Sequence, residues 1–268
     1  MTRIGQHFLK NRSITEKIVR AIDPHAQETV IEIGPGHGEL TRELVRQKKG
    51  ATKIIAIEKD HGLLARLVAQ KELADVEFVY GDALEIIPQL AKRYKLKAIS
   101  YKLIGNIPYY ISGRLFRTLG ALKEKPSRCL VMLQKEVAER LVAQPPRMNR
   151  LAASVQIWAD AKILCSVPRK EFAPIPKVDS AVVVLETRER GRKIQKKNHE
   201  ETIRALFEQP RKTVLNNIAS AMIKKGLKNT TKSEIAAILT KMGIRTNARP
   251  QDLSIEDIKK IANELKRE

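Results

Sequence analysis

The chain has two cysteines in 268 residues, Cys129 and Cys165, and neither belongs to a CxxC pair. That excludes the common thiolate frameworks for structural zinc. Both lie in apolar stretches (CLVML and ILCSV) and read as buried core residues. Long apolar runs are also missing: no stretch approaches the roughly 18 residues of a membrane span. The first residues, MTRIGQHFLKNRS, contain no apolar signal core. Acidic residues are scarce beside basic ones, 30 against 51, which leaves a net charge of +21. A surface of that sign attracts polyanions, nucleic acid before all others. An acidic membrane is the rival partner, but no basic amphipathic helix carries the aromatic anchor it would need. Hydrophobic residues make up 43% of the chain, enough to build a core.

The first two-thirds alternates strand-like and helix-like segments. Strands are expected at 29–33 (TVIEI), 53–57 (KIIAI), 76–79, 102–105, 129–133 and 182–185, with helices at 38–47, 63–68, 137–143 and 151–158. The alternation predicts an α/β fold with a mostly parallel sheet covered on both faces. From 188 the pattern changes. The segment RERGRKIQKK reads as a charged linker, and beyond it only helical spacing recurs, at 200–207, 212–224, 232–241 and 255–265. Ser254, followed three residues later by Asp257, gives the last helix an N-cap signal. Residues 190–268 carry 19 basic and 9 acidic side chains. The expected organisation is a catalytic domain at 1–187, a basic linker at 188–198 and a small helical domain at 199–268.

Glycines cluster after the first of these strands, in Glu32-Ile-Gly34-Pro-Gly36-His37-Gly38, where they let a ligand approach the backbone. A dinucleotide fingerprint would need glycine at position 39, which is Glu, and no Gly-Lys-Ser/Thr ending of a P-loop exists. S-adenosylmethionine, a cofactor without phosphates, fits better. The second strand ends at Glu58-Lys59, where a carboxylate can accept from ribose hydroxyls, and the third at Asp82-Ala83, where one can meet an adenine amino group. Any one of these acids alone would read as a solvated strand end. His7 and His37 taken singly read more readily as structural donors than as catalysts.

The fourth strand ends in Gly105-Asn106-Ile107-Pro108-Tyr109. An exocyclic amine is a poor nucleophile because its lone pair is delocalised into the ring. An Asn side-chain oxygen and a backbone carbonyl can accept its two N–H bonds and aim the lone pair at a methyl donor. Pro108 stiffens the loop, and Tyr109 offers a face for an extruded base. A strand-to-turn junction is the plainer alternative. Cytosine C5 methylation would need a nucleophilic cysteine, usually after proline, and neither cysteine here follows one. A second aromatic, Phe172, opens Phe-Ala-Pro-Ile-Pro-Lys-Val-Asp-Ser. It could close the other face of the base, or it could anchor its loop in the core.

These segments resemble the ribosomal RNA adenine dimethyltransferase family, and its small-subunit branch most closely. The resemblance runs through Gly5–Leu9, Glu32–Thr41, Glu58, Gly81–Ala83, Gly105–Ser112, Met132–Leu141, Phe172–Ser180, Arg211–Thr213 and Asn247–Asp257. It implies a Rossmann-like class I methyltransferase sheet with a C-terminal all-helical domain. It implies S-adenosylmethionine held at His7, Leu9, Glu32, Gly34, Gly36, Glu58, Lys59, Asp82, Ala83 and Asn106. Asn106, Pro108, Tyr109 and Phe172 would work on the target base, and Arg211 and Lys212 would bind RNA. The implied reaction is N6,N6-dimethylation of two adjacent adenines near the 3′ end of small-subunit ribosomal RNA, late in subunit assembly. The expected partner is an immature small subunit, and the protein is expected to be a cytoplasmic monomer without membrane contact.

Three positions depart from the family pattern. His7 stands where many members have Asn, Tyr110-Ile-Ser-Gly113-Arg114 replaces Asn-x-Ser-Thr-Pro, and Pro210 stands where an arginine is common. Two other readings compete: methylation of large-subunit RNA on the same fold, and a non-catalytic assembly factor that uses the positive charge alone.

Overall fold

The computed structural model describes residues 7–93, 101–188, 196–224 and 231–264. The expected linker at 188–198 lies largely outside them, as do Gly5 and Gln6. The chain divides into two compact units, Met1–Glu139 with Ala159–Arg192, and Arg140–Trp158 with Lys193–Glu268.

The first unit opens with β1 (Phe8–Leu9) and α1 (Arg12–Ile22). Asn11 caps α1 by accepting from the Ile14 N–H, satisfying a donor that the helix leaves unpaired. Then follow β2 (Thr29–Ile33), α2 (Glu39–Gln47), β3 (Lys53–Glu58), α3 (His61–Val68), β4 (Val76–Tyr80), α4 (Ala83–Arg93), β5 (Tyr101–Asn106), α5 (Ser112–Ala121), β6 (Arg128–Gln134) and α6 (Lys135–Leu141). The chain next contributes α7 (Arg150–Gln156) to the other unit. It returns as β7 (Ala159–Val167), β8 (Phe172–Ala173) and β9 (Ser180–Thr187).

Seven strands form one sheet in the order β4-β3-β2-β5-β6-β9-β7. β4 through β6 run parallel, β9 runs against β6, and β7 pairs antiparallel with β9. The parallel strands are apolar along nearly their whole length, as burial on both faces demands: Val30, Ile31, Ile54, Ile55, Leu103 and Ile104 are all sealed from water. A charged residue in this sheet has to be neutralised. Lys102, at the start of β5, pairs with Glu28 and donates to the Asp23 carbonyl. Three helices, α1, α4 and α5, and three strands, the nine-residue β7 and the short β1 and β8, are additional to the sequence reading of this unit. Cys129 is buried as expected, whereas Cys165 is only half-buried, because β7 is the outer strand of the sheet and is irregular between Ile163 and Cys165.

Every parallel strand delivers its last residues to the same edge of the sheet, where ligands of such folds bind. β2 delivers Gly34, β3 Glu58, β4 Asp82 and β5 Asn106.

In the second unit, α8 (Lys196–Leu206), α9 (Val214–Lys224), α10 (Lys232–Lys241) and α11 (Ile255–Glu264) pack with α7. Ser254 caps α11 reciprocally with Asp257: the Asp257 N–H donates to Ser254 Oγ at 3.1 Å, and the Ser254 N–H to Asp257 Oδ2 at 3.0 Å. Residues 140–158 belong with these helices, although in sequence they precede the last strands of the sheet. The Met148 N–H donates to the Gln251 carbonyl, and buried Gln156 donates to the Leu141 and Ala143 carbonyls. The helical unit is therefore larger than the segment 199–268.

Candidate active site

The turn after β2 is built on glycines with positive φ: +65° at Gly34, +60° at Gly36 and +90° at Gly38. A side chain at such angles is strained by roughly 1–2 kcal/mol. Gly36 also lies under the Phe8 ring, where a Cβ would stand 2.8 Å from two ring carbons. Phe8 stacks on His37 with ring centroids 3.9 Å apart, so His37 is occupied structurally. Gly34 is different. Among the described residues, a Cβ built on it meets nothing within 4 Å, so this half-buried backbone borders open space.

Glu58 closes one side of that space. Its Oε1 accepts from the N–H groups of Lys59 and Asp60, each at 2.8 Å, and its Oε2 accepts a longer bond from Gly36 at 3.3 Å. The carboxylate is thus fixed, with Oε2 retaining capacity for a further hydroxyl donor. Asp82 sits one strand away. Its Oδ1 caps α4 through the Leu84 N–H, and its Oδ2 takes an ion pair from Lys59 at 2.9 Å. The Lys59 ammonium holds the Asp82 carboxyl below its ordinary range, so it is an acceptor for amino groups at neutral pH.

Glu32 lies beneath the turn, 1% exposed, and both of its oxygens lack a hydrogen bond of normal geometry, as does Thr41 Oγ1 beside it. Burial pushes the Glu32 carboxyl up to about 8, against a smaller downward pull from the Thr41 hydroxyl. An acid raised in this way holds more protons folded than unfolded. Its contribution to stability is therefore greatest at low pH and is lost as pH rises through about 8. In the cofactor-free protein, Glu32→Gln is expected to flatten the decline in melting temperature between about pH 5 and pH 8. Thermal unfolding across that range checks it, and an unchanged slope in the variant would assign the decline elsewhere.

Asn106 ends β5 half-buried. Its Nδ2 donates to the His7 carbonyl at 2.7 Å. A carbonyl can only accept, so this bond fixes which way the amide faces and leaves Oδ1 as the outward acceptor. His7 itself extends the link, because its Nδ1 donates to the Pro174 carbonyl at 2.8 Å. The backbone continues the same junction: β1 pairs antiparallel with β8, and the Lys10 N–H donates to the Glu171 carbonyl. The N-terminal segment, the Asn106 loop and the 168–179 loop thus form one assembly.

Several sequence-derived site residues take a different place from the one expected. Phe172 is 1% exposed and belongs to the same apolar cluster as Leu9, Val167 and Val182. It has no ring face to offer a base, and the sandwich role is corrected to that of a core anchor. The side chains of Leu9 and Ala83 are buried, so only their backbones are available to a ligand. Pro108 is half-buried and precedes a short 3₁₀ turn at Tyr109–Ile111. The Tyr109 side chain lies outside the described residues.

Arg211 and Lys212 are exposed on the turn between α8 and α9. Sequence reading missed what holds that turn. Asn217, 2% exposed, donates through Nδ2 to the carbonyls of Gln209, Lys212 and Thr213 and accepts from the Gln209 N–H. Its signal, an Asn inside an apolar helical face, is visible only once the helix is placed.

The open cradle at Gly34 and the acceptors at Glu58 and Asp82 fit S-adenosylmethionine, whose ribose and adenine offer hydroxyl and amino donors and whose lack of phosphates suits a turn without a P-loop lysine. That cofactor supplies an electrophilic methyl group on a sulfonium.

The chain is similar to known methyltransferases. The family description "ribosomal RNA adenine dimethylase" matches residues 1–267. A curated relative from Dehalococcoides mccartyi, named ribosomal RNA small subunit methyltransferase A, is 34% identical over 96% of this chain and 85% of its own length. A solved dimethyladenosine transferase from Plasmodium falciparum superposes with a TM-score of 0.79 at 26% identity, covering 97% of this chain and 98% of that one. The 23S rRNA methyltransferase ErmE shares the fold, with a TM-score of 0.73 at 21% identity over 97% of this chain and 99% of its own. The chain belongs to the ribosomal RNA adenine dimethylase family.

Proposed function

We propose that this protein transfers methyl groups from S-adenosylmethionine to the N6 atoms of two adjacent adenines near the 3′ end of small-subunit ribosomal RNA, leaving each dimethylated. The observation that carries the chemistry is the Asn106 amide, oriented by the His7 carbonyl at the strand end beside the Gly34 cradle. Its Oδ1 accepts one N–H of the target amine, which draws the nitrogen toward tetrahedral geometry. The cationic product amine loses its proton readily, so no strong general base is required. The choice of the small subunit rests on the relatives that carry that name and on the Arg211-Lys-Thr and Asn247–Asp257 segments.

The helical unit docks the substrate. Arg211 and Lys212, presented on the turn that Asn217 fastens, meet RNA phosphates, and binding weakens steeply with salt. The substrate is an immature small subunit, the enzyme acts as a monomer, and it works in the cytoplasm. No helix among the described residues is long and apolar enough to cross a membrane.

The test is methyl transfer from labelled S-adenosylmethionine to undermethylated small and large subunits, with nucleosides identified by mass spectrometry. Dimethyladenosine on the small subunit alone is expected. Label on the large subunit would reassign the substrate, and no label on either would favour a non-catalytic assembly factor.

A further inference from the structure

The loop between β7 and β9 is buried at Phe172 and Pro176 and exposed at 173–175 and 177–179. Ile175 is 63% exposed and Val178 43%. Single exposed apolar residues are ordinary on any surface, but this one has three uncommon attributes. First, Ile175 is bracketed by Pro174 and Pro176, and residues that precede proline are confined to extended backbone, so Ala173, Pro174 and Ile175 have little conformational freedom. Second, the tip is fastened to the catalytic residue. The Pro174 carbonyl accepts from His7 Nδ1, and the His7 carbonyl accepts from Asn106 Nδ2, so two hydrogen bonds separate the tip's backbone from the Asn106 amide. Third, the loop that carries the tip is rich in exposed positive charge. Arg169, Lys170 and Lys177 are exposed, and none is drawn into an ion pair among the described residues. The loop carries two acids: half-buried Glu171 accepts from Asn11 Nδ2 at 2.8 Å, and exposed Asp179 accepts from the Arg169 N–H at 2.9 Å.

A rigid apolar point on a loop with three exposed cations and one exposed acid fits a nucleic-acid strand, with phosphates on the cations and bases against the point. The activity proposed above makes a specific demand there. An adenine cannot bring N6 to Asn106 while stacked between its neighbours, and pulling it out leaves a gap whose opening costs a few kcal/mol. Apolar side chains inserted between bases offset such a cost elsewhere. We propose that Ile175 is a wedge that enters the RNA stack as the target adenine leaves it, with Lys170 and Lys177 holding the flanking phosphates. The inference rests on adenine methylation at Asn106. It assigns to this loop the extrusion of the base rather than the stacking role that buried Phe172 cannot fill.

The wedge and a simple docking contact separate in kinetics. With undermethylated small subunits and the full chain in excess, Ile175→Ala is expected to slow the single-turnover rate of methyl transfer about tenfold at saturation while the subunit affinity stays within about twofold. Ile175→Leu should recover most of the rate. Lys170→Ala with Lys177→Ala should do the reverse: weaker affinity, a salt dependence flatter by roughly 1.5 to 2 logarithmic units per tenfold salt, and an unchanged rate at saturation. Melting temperature and S-adenosylmethionine binding of each variant establish that the fold is intact, as expected for exposed positions. A wild-type rate in Ile175→Ala, or a loss confined to affinity, would overturn the wedge. A wild-type enzyme that transfers nothing to the small subunit would instead overturn the adenine reading itself.

Discussion

Asn106→Ala is expected to lower methyl transfer by at least about 10²–10³-fold, the loss typical of removing one preorganised polar group from a transition state. The fold should survive. The side chain makes one hydrogen bond, to the His7 carbonyl, and losing such a bond costs about 1 kcal/mol. Asn106→Asp distinguishes the two duties of the amide. It keeps an acceptor for the substrate amine but sets a second oxygen against the His7 carbonyl, where the amide donated at 2.7 Å. The carboxylate will turn away from that carbonyl, and activity should fall between Asn and Ala. Label transfer at saturating S-adenosylmethionine, with cofactor affinity measured separately, reads both variants. Near-normal activity of the alanine variant would remove Asn106 from the mechanism.

The residue immediately before it has an equally large but wholly different effect. Gly105→Ala is expected to destabilise the protein by about 3 kcal/mol or more, because the added Cβ would stand 2.6 Å from the Ile33 carbonyl oxygen, inside the close approach of β5 to β2. Neither strand can yield, since both are interior to the sheet. A shift of the melting temperature by roughly 10 °C follows for a chain of this size. Gly113, eight residues on in the same motif, is the control. A Cβ there meets nothing within 4 Å and the residue lies in α5, so Gly113→Ala should be neutral or stabilising by less than about 1 kcal/mol. Equal melting temperatures for the two variants would mean that the glycine in the Asn-Ile-Pro-Tyr motif is not held there by sheet packing.

The parallel half of the sheet was legible in the sequence because each strand is a mostly apolar run that stops at a glycine or a polar residue, as burial on both faces demands. Thr29–Ile33 coincides with its expected range, and the other parallel strands differ by at most one residue at each end. β7 was not legible. It is an outer strand whose Asp160, Lys162 and Ser166 dilute the apolar signal, and its direction and that of β9 depend on pairing partners distant in the chain. Local residue types marked Gly34, Glu58, Asp82 and Asn106 as a group, since topology alone brings strand ends together. They did not mark the depth of Phe172, which is set by packing against Leu9, nor the role of the His7 backbone, because a carbonyl carries no sequence signature. Asn217 escaped for a related reason: its value lies in four backbone partners, none of which is chosen by side-chain identity.

The passage of the chain into the helical unit at Arg140, back to the sheet at Ala159 and out again near Lys193 constrains how this family can be taken apart and recombined. A helical unit attached once could be exchanged between relatives at a single splice. Here a cut after β9 would leave α7 behind, separated from α8, against which it packs. A viable chimera of this chain therefore needs two matched junctions, inherited or engineered together.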